Sequence, residues 1–122
     1  MEFQSEITIE DRDDYLKIVV CGAASLEKVL TAIDEADKIF HDNPFSEILY
    51  DFRTMHGGFR AIDKIRIGLY AARFSQYAIK VALLYQPEHV QTLRFLEIYL
   101  QDRGIQFRLF SNEDQALQWL AA

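Results

Sequence analysis

Ile48-Leu49-Tyr50-Asp51-Phe52-Arg53-Thr54-Met55-His56-Gly57-Gly58-Phe59-Arg60 holds the pattern that decides the fold. An apolar run with strand composition ends in an aspartate. A Gly-Gly loop follows, and a helix rich in Arg and Lys comes after it. Strand giving way to helix is the repeating step of an α/β protein, and such proteins meet ligands and partners at the carboxyl ends of their strands. Candidate functional residues are therefore sought here first.

Toward the N-terminus, Glu6-Ile7-Thr8-Ile9-Glu10 alternates with the period of a strand. Asp11 to Asp14 is a polar turn, and Tyr15 to Cys21 is a second strand, so the pair reads as a hairpin. Ser25 is placed to cap a helix running to about His41, with Leu26, Val29, Leu30, Ile33 and Phe40 on its apolar face. Asn43-Pro44 stops it, because a residue before proline avoids the α region. The third strand runs from Glu47 to Phe52.

Toward the C-terminus, the spacing predicts a helix from about Ala61 to Phe74 with Ile62, Ile65, Leu69 and Ala72 as its inner stripe. Ala78 to Tyr85 is a fourth strand. Pro87 opens a third helix, where its missing N–H costs nothing, and Gly104 ends it in a left-handed cap. Ile105 to Phe110 is the fifth strand. Ser111 is expected to cap a last helix, Asp114 to complete a box-like start, and Ala116, Leu117 and Leu120 to anchor it.

The order β-β-α-β-α-β-α-β-α predicts one α/β domain over residues 1–122. It is a five-stranded, mostly parallel sheet with an N-terminal β-hairpin, right-handed crossovers and four helices mainly on one face. One strand parity (Leu16, Ile18, Val20, Ile48, Tyr50, Phe52, Ile79, Val81, Leu83, Ile105, Phe107, Leu109) is a core. The other mixes Leu49, Ala82 and Leu84 with Lys17, Asp51, Lys80 and Arg108. Parallel sheets are normally covered on both faces, so the mixed face points to a partner surface.

Half of the residues are apolar, and five Gly and two Pro leave no disordered segment. No apolar run approaches the roughly 18 residues of a membrane span, and Met1 to Glu6 is acidic and alternating, unlike a secretory signal. With one cysteine, Cys21, no internal disulfide forms, and a cytoplasmic location is expected. The net charge of −6 divides into −9 over residues 1–52, +5 over 53–80 and −2 over 81–122. The acidic total disfavours nucleic acid. The basic segment is either a helix face that pairs with acidic neighbours or a meeting place for an anion or an acidic partner.

Sharp catalytic and cofactor motifs are missing: there is no G-x-S-x-G, phosphate-binding loop or C-x-x-C. His41, His56 and His89 lack the mutual spacing of metal ligands. Asp51 is either a base at a strand end or a helix cap or partner for an Arg. Cys21 reads as a small core residue. The run from Glu10 to Asp14 reads as a solvated turn rather than a calcium loop, because it lacks the spaced ligands and the glycine.

The segments Ile48 to Arg53, Gln101-Asp102-Arg103-Gly104-Ile105 and Ala116-Leu117-Gln118-Trp119-Leu120, in this order and spacing, resemble the STAS domains and, more narrowly, the SpoIIAA-like bacterial proteins. The resemblance covers nearly the whole chain. It implies a non-enzymatic regulatory or protein-interaction domain. In the anti-sigma-factor antagonists of that family the third strand ends in an aspartate, matched by Asp51, and the next loop presents a phosphorylatable Ser or Thr. Here that loop has no serine, and Thr54 is its only hydroxyl. The alternative function is a small-ligand module for an anionic or amphipathic molecule. Candidate binding residues are Arg53, Thr54, His56, Gly57, Gly58, Arg60 and Lys64, with the amides at Gly57, Gly58 and Phe59 opening the helix as an anion concavity.

Ile67, Tyr70 and Phe74, with Phe95 and Tyr99 on the next helix, lie off the expected inner stripes. Either the two helices pack these residues on each other, or they form the interface of a homodimer or of a complex with another protein.

Overall fold

The computed structural model describes residues 6–42, 46–77 and 79–122. The expected helix stop at Asn43-Pro44, the strand start at Ala78 and the reading of Met1 to Ser5 fall outside these residues. Five strands, β1 (Ile7–Asp11), β2 (Leu16–Val20), β4 (Glu47–Asp51), β6 (Lys80–Leu84) and β7 (Gln106–Phe110), form a sheet in the order β1-β2-β4-β6-β7. β1 pairs antiparallel to β2, and every later pairing is parallel. The register sets Leu16 beside Ile48, Ile48 beside Val81 and Val81 beside Phe107, so the apolar parity of each strand falls on one face. A second, two-stranded sheet pairs β3 (Gly22–Ala23) with β5 (Met55–His56). Two residues are too few to show an alternation, so no sequence pattern predicts it.

Three helices, α1 (Leu26–Asp42), α2 (Ala61–Ala71) and α3 (Val90–Asp102), cover the apolar parity, and α4 (Glu113–Ala121) covers the other face. The mixed face is thus the seat of α4. Leu49, Ala82 and Leu84 form a narrow apolar strip that Ala116 and Leu120 close. The flanking charges belong to the same contact. Lys17 Nζ donates to Glu113 at 3.0 Å, and Lys80 Nζ donates to the Trp119 carbonyl at 3.0 Å, at the helix end that favours a cation. This part of the sheet is closed by the chain itself.

Ser25 caps α1 as expected, accepting the Lys28 N–H at 3.3 Å. The cap of α4 is Asn112 rather than Ser111. Its side-chain oxygen accepts the Gln115 N–H at 3.0 Å, a bond that is available only to the residue directly before the first turn. Pro87 opens a 3-10 turn (Pro87–His89) that leads into α3, and Gly104 adopts φ +83° after it.

The expected faces of α2 are reversed. Ile67, Gly68, Ala71 and Phe74 point inward, whereas Ile62, Ile65 and Leu69 face out. This helix carries two apolar stripes, and periodicity alone does not say which one is buried. Polar partners and one close approach decide. Tyr70 donates to Asp34 of α1, Arg73 reaches the same carboxylate at 3.0 Å, and the Tyr77 hydroxyl donates to Asp37 at 2.6 Å. On the other side, Gly68 meets α3 so closely that an added Cβ would lie 3.0 Å from the Tyr99 ring. Ile67 and Phe74 therefore belong to the core, and Tyr70 is held by α1, so the expectation of an exposed interface through these three is corrected.

Candidate functional site

The carboxyl ends of β4 and β6 carry the features that the sequence singles out. Asp51 ends β4 almost fully buried, and Arg53 closes back onto it. The Arg53 backbone N–H and Nε each donate to one Asp51 oxygen at 3.0 Å, and a terminal guanidinium nitrogen donates to the other oxygen at 2.8 Å. The same guanidinium reaches Glu113 at 3.0 Å, and Lys17 holds the other Glu113 oxygen. Burial pushes the Asp51 carboxyl up, but hydrogen bonds and charge from Arg53, with Lys17 adding charge, outweigh burial and hold it below its ordinary value. The Lys17 hydrogen bond leads the causes that hold Glu113 low. Asp51 is thus an ion-pair partner that ties β4 to α4, and it is not poised to take a proton.

The basic segment is largely spent in the same way. Arg60 pairs with Asp63 at 3.4 Å on the surface, and Arg73 pairs with Asp34 and Asp37. Lys64 and Arg66 make no ion pair among the described residues. Thr54, His56, Gly57 and Gly58 are exposed. Gly57 takes φ +86°, a backbone conformation that side chains resist. α2 begins only at Ala61, after an extended Arg60, so the amides at Gly57, Gly58 and Phe59 do not form the first turn of the helix as the anion-concavity reading expects.

What the loop does form is one wall of a shallow, open pocket. Gly57, Gly58, Phe52, Met55 and Phe59 line one side, and Tyr85, Gln86, His89 and Leu93 line the other. The loop is pinned there. The Ala24 N–H donates to the His56 carbonyl at 2.7 Å, and the Gln86 side-chain amide donates to the Arg53 carbonyl. Of the expected ligand residues the structure brings only Gly57 and Gly58 to this pocket. Arg53, Thr54, His56, Arg60 and Lys64 stand outside its lining. Tyr85 and Gln86 escaped the sequence reading, although they follow β6 as Phe52 and Arg53 follow β4. Applying the strand-end rule to both neighbouring strands would have found them.

Cys21 is a half-buried free thiol. Among the described residues no group of His, Cys, Asp and Glu is placed to hold a metal, and no helix is long and apolar enough to cross a membrane.

The family model described as SpoIIAA-like matches residues 1–121. The structure is similar to the crystal structure of an uncharacterized protein with a SpoIIAA-like fold from Shewanella loihica PV-4. The identity is 20%, 98% of each chain is covered, and the TM-score is 0.59. No curated protein matches. The family match runs along almost the entire length of the chain, and the chain belongs to the SpoIIAA-like family.

Proposed function

We propose that the protein is a non-enzymatic regulatory domain that acts in the cytoplasm by docking a protein partner, a second copy included, on the outer face of α2 and α3. One observation carries this reading. Ile62, Ile65 and Leu69 on α2 and Phe95 and Ile98 on α3 are each between 43% and 61% exposed, on two helices that pack side by side. Large apolar side chains gathered on one face mark an interaction site. Phe95, already a candidate for an interface on sequence grounds, is exposed on this face. Tyr99 beside it stacks at 5.7 Å and supports it from the α2 contact. Lys64 and Arg66, without ion pairs among the described residues, favour an acidic rim on the partner. Engagement of Asp51 by Arg53 supports the non-enzymatic part of the reading. Regulation does not run through a loop serine here, and Thr54 is the one hydroxyl of that loop open to modification.

The test is the double substitution Ile65→Lys and Leu69→Lys. Sedimentation and capture experiments with the wild-type chain should show association, and the variant should lose it with its melting temperature unchanged. Association that survives both lysines would refute the surface assignment.

A second reading, ligand binding at the strand ends, is favoured by the pocket between Gly57-Gly58 and Tyr85-Gln86. Its walls are mostly apolar and the nearby arginines are paired, so the matching molecule is amphipathic rather than simply anionic.

A further inference from the structure

β7 stands last in the sheet order, so its outer side has no strand neighbour among the described residues. The pairing with β6 decides which backbone groups face that side. Leu84 stands beside Phe110, and the Tyr85 N–H donates to the Phe110 carbonyl at 3.0 Å. In a parallel ladder one residue gives both its N–H and its C=O to the same neighbour, and the next residue turns both the other way. Gln106, Arg108 and Phe110 therefore bond to β6, and Phe107 and Leu109 turn their groups outward. α3 takes one outward carbonyl and one outward N–H. Gln101 donates a side-chain N–H to the Phe107 carbonyl at 2.8 Å, and the Leu109 N–H donates to the Glu97 carboxylate at 3.0 Å. Glu97 and Gln101 are four apart, so they share one face of the helix. Glu97 is held in place: its side chain is 12% exposed, and its other oxygen accepts from Arg94.

A residue of a further parallel strand, set opposite Arg108, would donate its N–H to the Phe107 carbonyl and accept the Leu109 N–H on its own carbonyl. Gln101 supplies that N–H, and Glu97 supplies that oxygen. Together they stand in for one residue of a strand that the sheet does not have. An antiparallel newcomer along this edge needs the same carbonyl and the same N–H. Water would satisfy both groups on an open edge, without the rotamer entropy lost in fixing two long side chains. What the side chains add is exclusion, since open edges pair with other edges unless they are occupied. We infer that Glu97 and Gln101 form an autoinhibitory contact: they fill the β7 edge as a surrogate strand residue and keep a second copy of the chain from extending the sheet edge to edge. A second copy is the occupant held off, because every copy carries the same row of groups. A two-fold axis sets β7 antiparallel to its own duplicate, with both rows matched. The sheet edge is separate from the outer face of α2 and α3, and the block stands or falls independently of partner docking there.

The experiment uses the full chain with Ile65→Lys and Leu69→Lys as a background, so that association through α2 and α3 does not enter. Glu97→Met and Gln101→Met are added to it. Methionine keeps the length and helix preference of both side chains and removes the acceptor and the donor. In sedimentation velocity the methionine variant should self-associate at least roughly tenfold more tightly than the background chain. Hydrogen exchange should find the Phe107 and Leu109 amides slower in the associated form than in the diluted variant. Glu97→Gln, whose amide oxygen still accepts the Leu109 N–H, should behave like the background chain. Should the double variant lose its cooperative unfolding transition, Glu97→Met alone carries the test, because it frees the Leu109 N–H and leaves Gln101 in place. A folded methionine variant that associates no more tightly than the background chain would overturn the inference. So would association that leaves both amides unprotected, or a Glu97→Gln variant that associates as the methionine variant does.

Discussion

Replacing Arg53 by Met removes the cation that makes the buried Asp51 tolerable. In the native protein the guanidinium gives Asp51 two hydrogen bonds, at 3.0 and 2.8 Å, and gives Glu113 one at 3.0 Å. Glu113 keeps Lys17 in the variant, so its loss is small. Asp51 keeps only the backbone N–H of residue 53, at 3.0 Å. Breaking a fully buried pair costs about 3–5 kcal/mol because an uncompensated charge is left behind. Arg53 is about a third exposed, so solvent screening reduces this to about 2–3 kcal/mol at pH 7.

The sign of the pH dependence sharpens the test. In the wild type the Asp51 carboxyl sits below its ordinary value of 3.8, so it contributes stability above that pH and loses it as the pH falls through the lowered folded value. Without Arg53, burial dominates and raises the folded value above 3.8. The penalty in the variant is then relieved by protonation as the pH falls. The stability difference between the two proteins should shrink below about pH 4. Urea unfolding at pH 7 and at pH 3.5 measures it. Adding Asp51→Asn to Arg53→Met should bring the protein back to within about 1 kcal/mol of the wild type, since the stranded charge is gone. A cost under about 1 kcal/mol at pH 7, a difference that does not change with pH, or a double variant worse than the single one would refute this account.

Phe74→Ala should cost about 3–5 kcal/mol in denaturant unfolding because it empties a core position, whereas Leu69→Lys, five residues earlier, should stay within about 0.5 kcal/mol. Tyr50→Phe should raise stability by about 1–2 kcal/mol in the same assay, since it removes a buried hydroxyl that has no hydrogen-bond partner among the described residues. Gly68→Leu should destabilise by about 1–3 kcal/mol, seen as a lower denaturation midpoint, because the Tyr99 ring already occupies the space beyond the Cβ position. Inorganic phosphate at millimolar concentration should shift the amide signals of Gly57 and Gly58 less than an uncharged amphipath does, because Arg53 and Arg60 are already paired.

Sequence by itself determined the order of the five main strands and four helices, the parallel sheet and the apolar parity of each main strand. The reason is that one parity of β2, β4, β6 and β7 is apolar throughout while the other carries Lys17, Asp51, Lys80 and Arg108, and short crossovers leave one handedness. It also placed Asp51 at a strand end and the Gly57-Gly58 turn after it. The sequence pointed α2 the wrong way round, because Ile62, Ile65 and Leu69 form as good a stripe as Ile67, Ala71 and Phe74. Only the tertiary structure chose between them, through Asp34 and Asp37 holding Arg73, Tyr70 and Tyr77 from α1, and through the Gly68 contact with Tyr99. The fate of the cations was likewise a matter of three dimensions. Arg53 and Glu113 are 60 positions apart in sequence and 3.0 Å apart in space, and no local pattern announces such a pair. The hydroxyl of Tyr50 belongs to the same class: a tyrosine in an apolar strand looks like any other core residue until its hydroxyl is seen to be buried without a hydrogen-bond partner among the described residues.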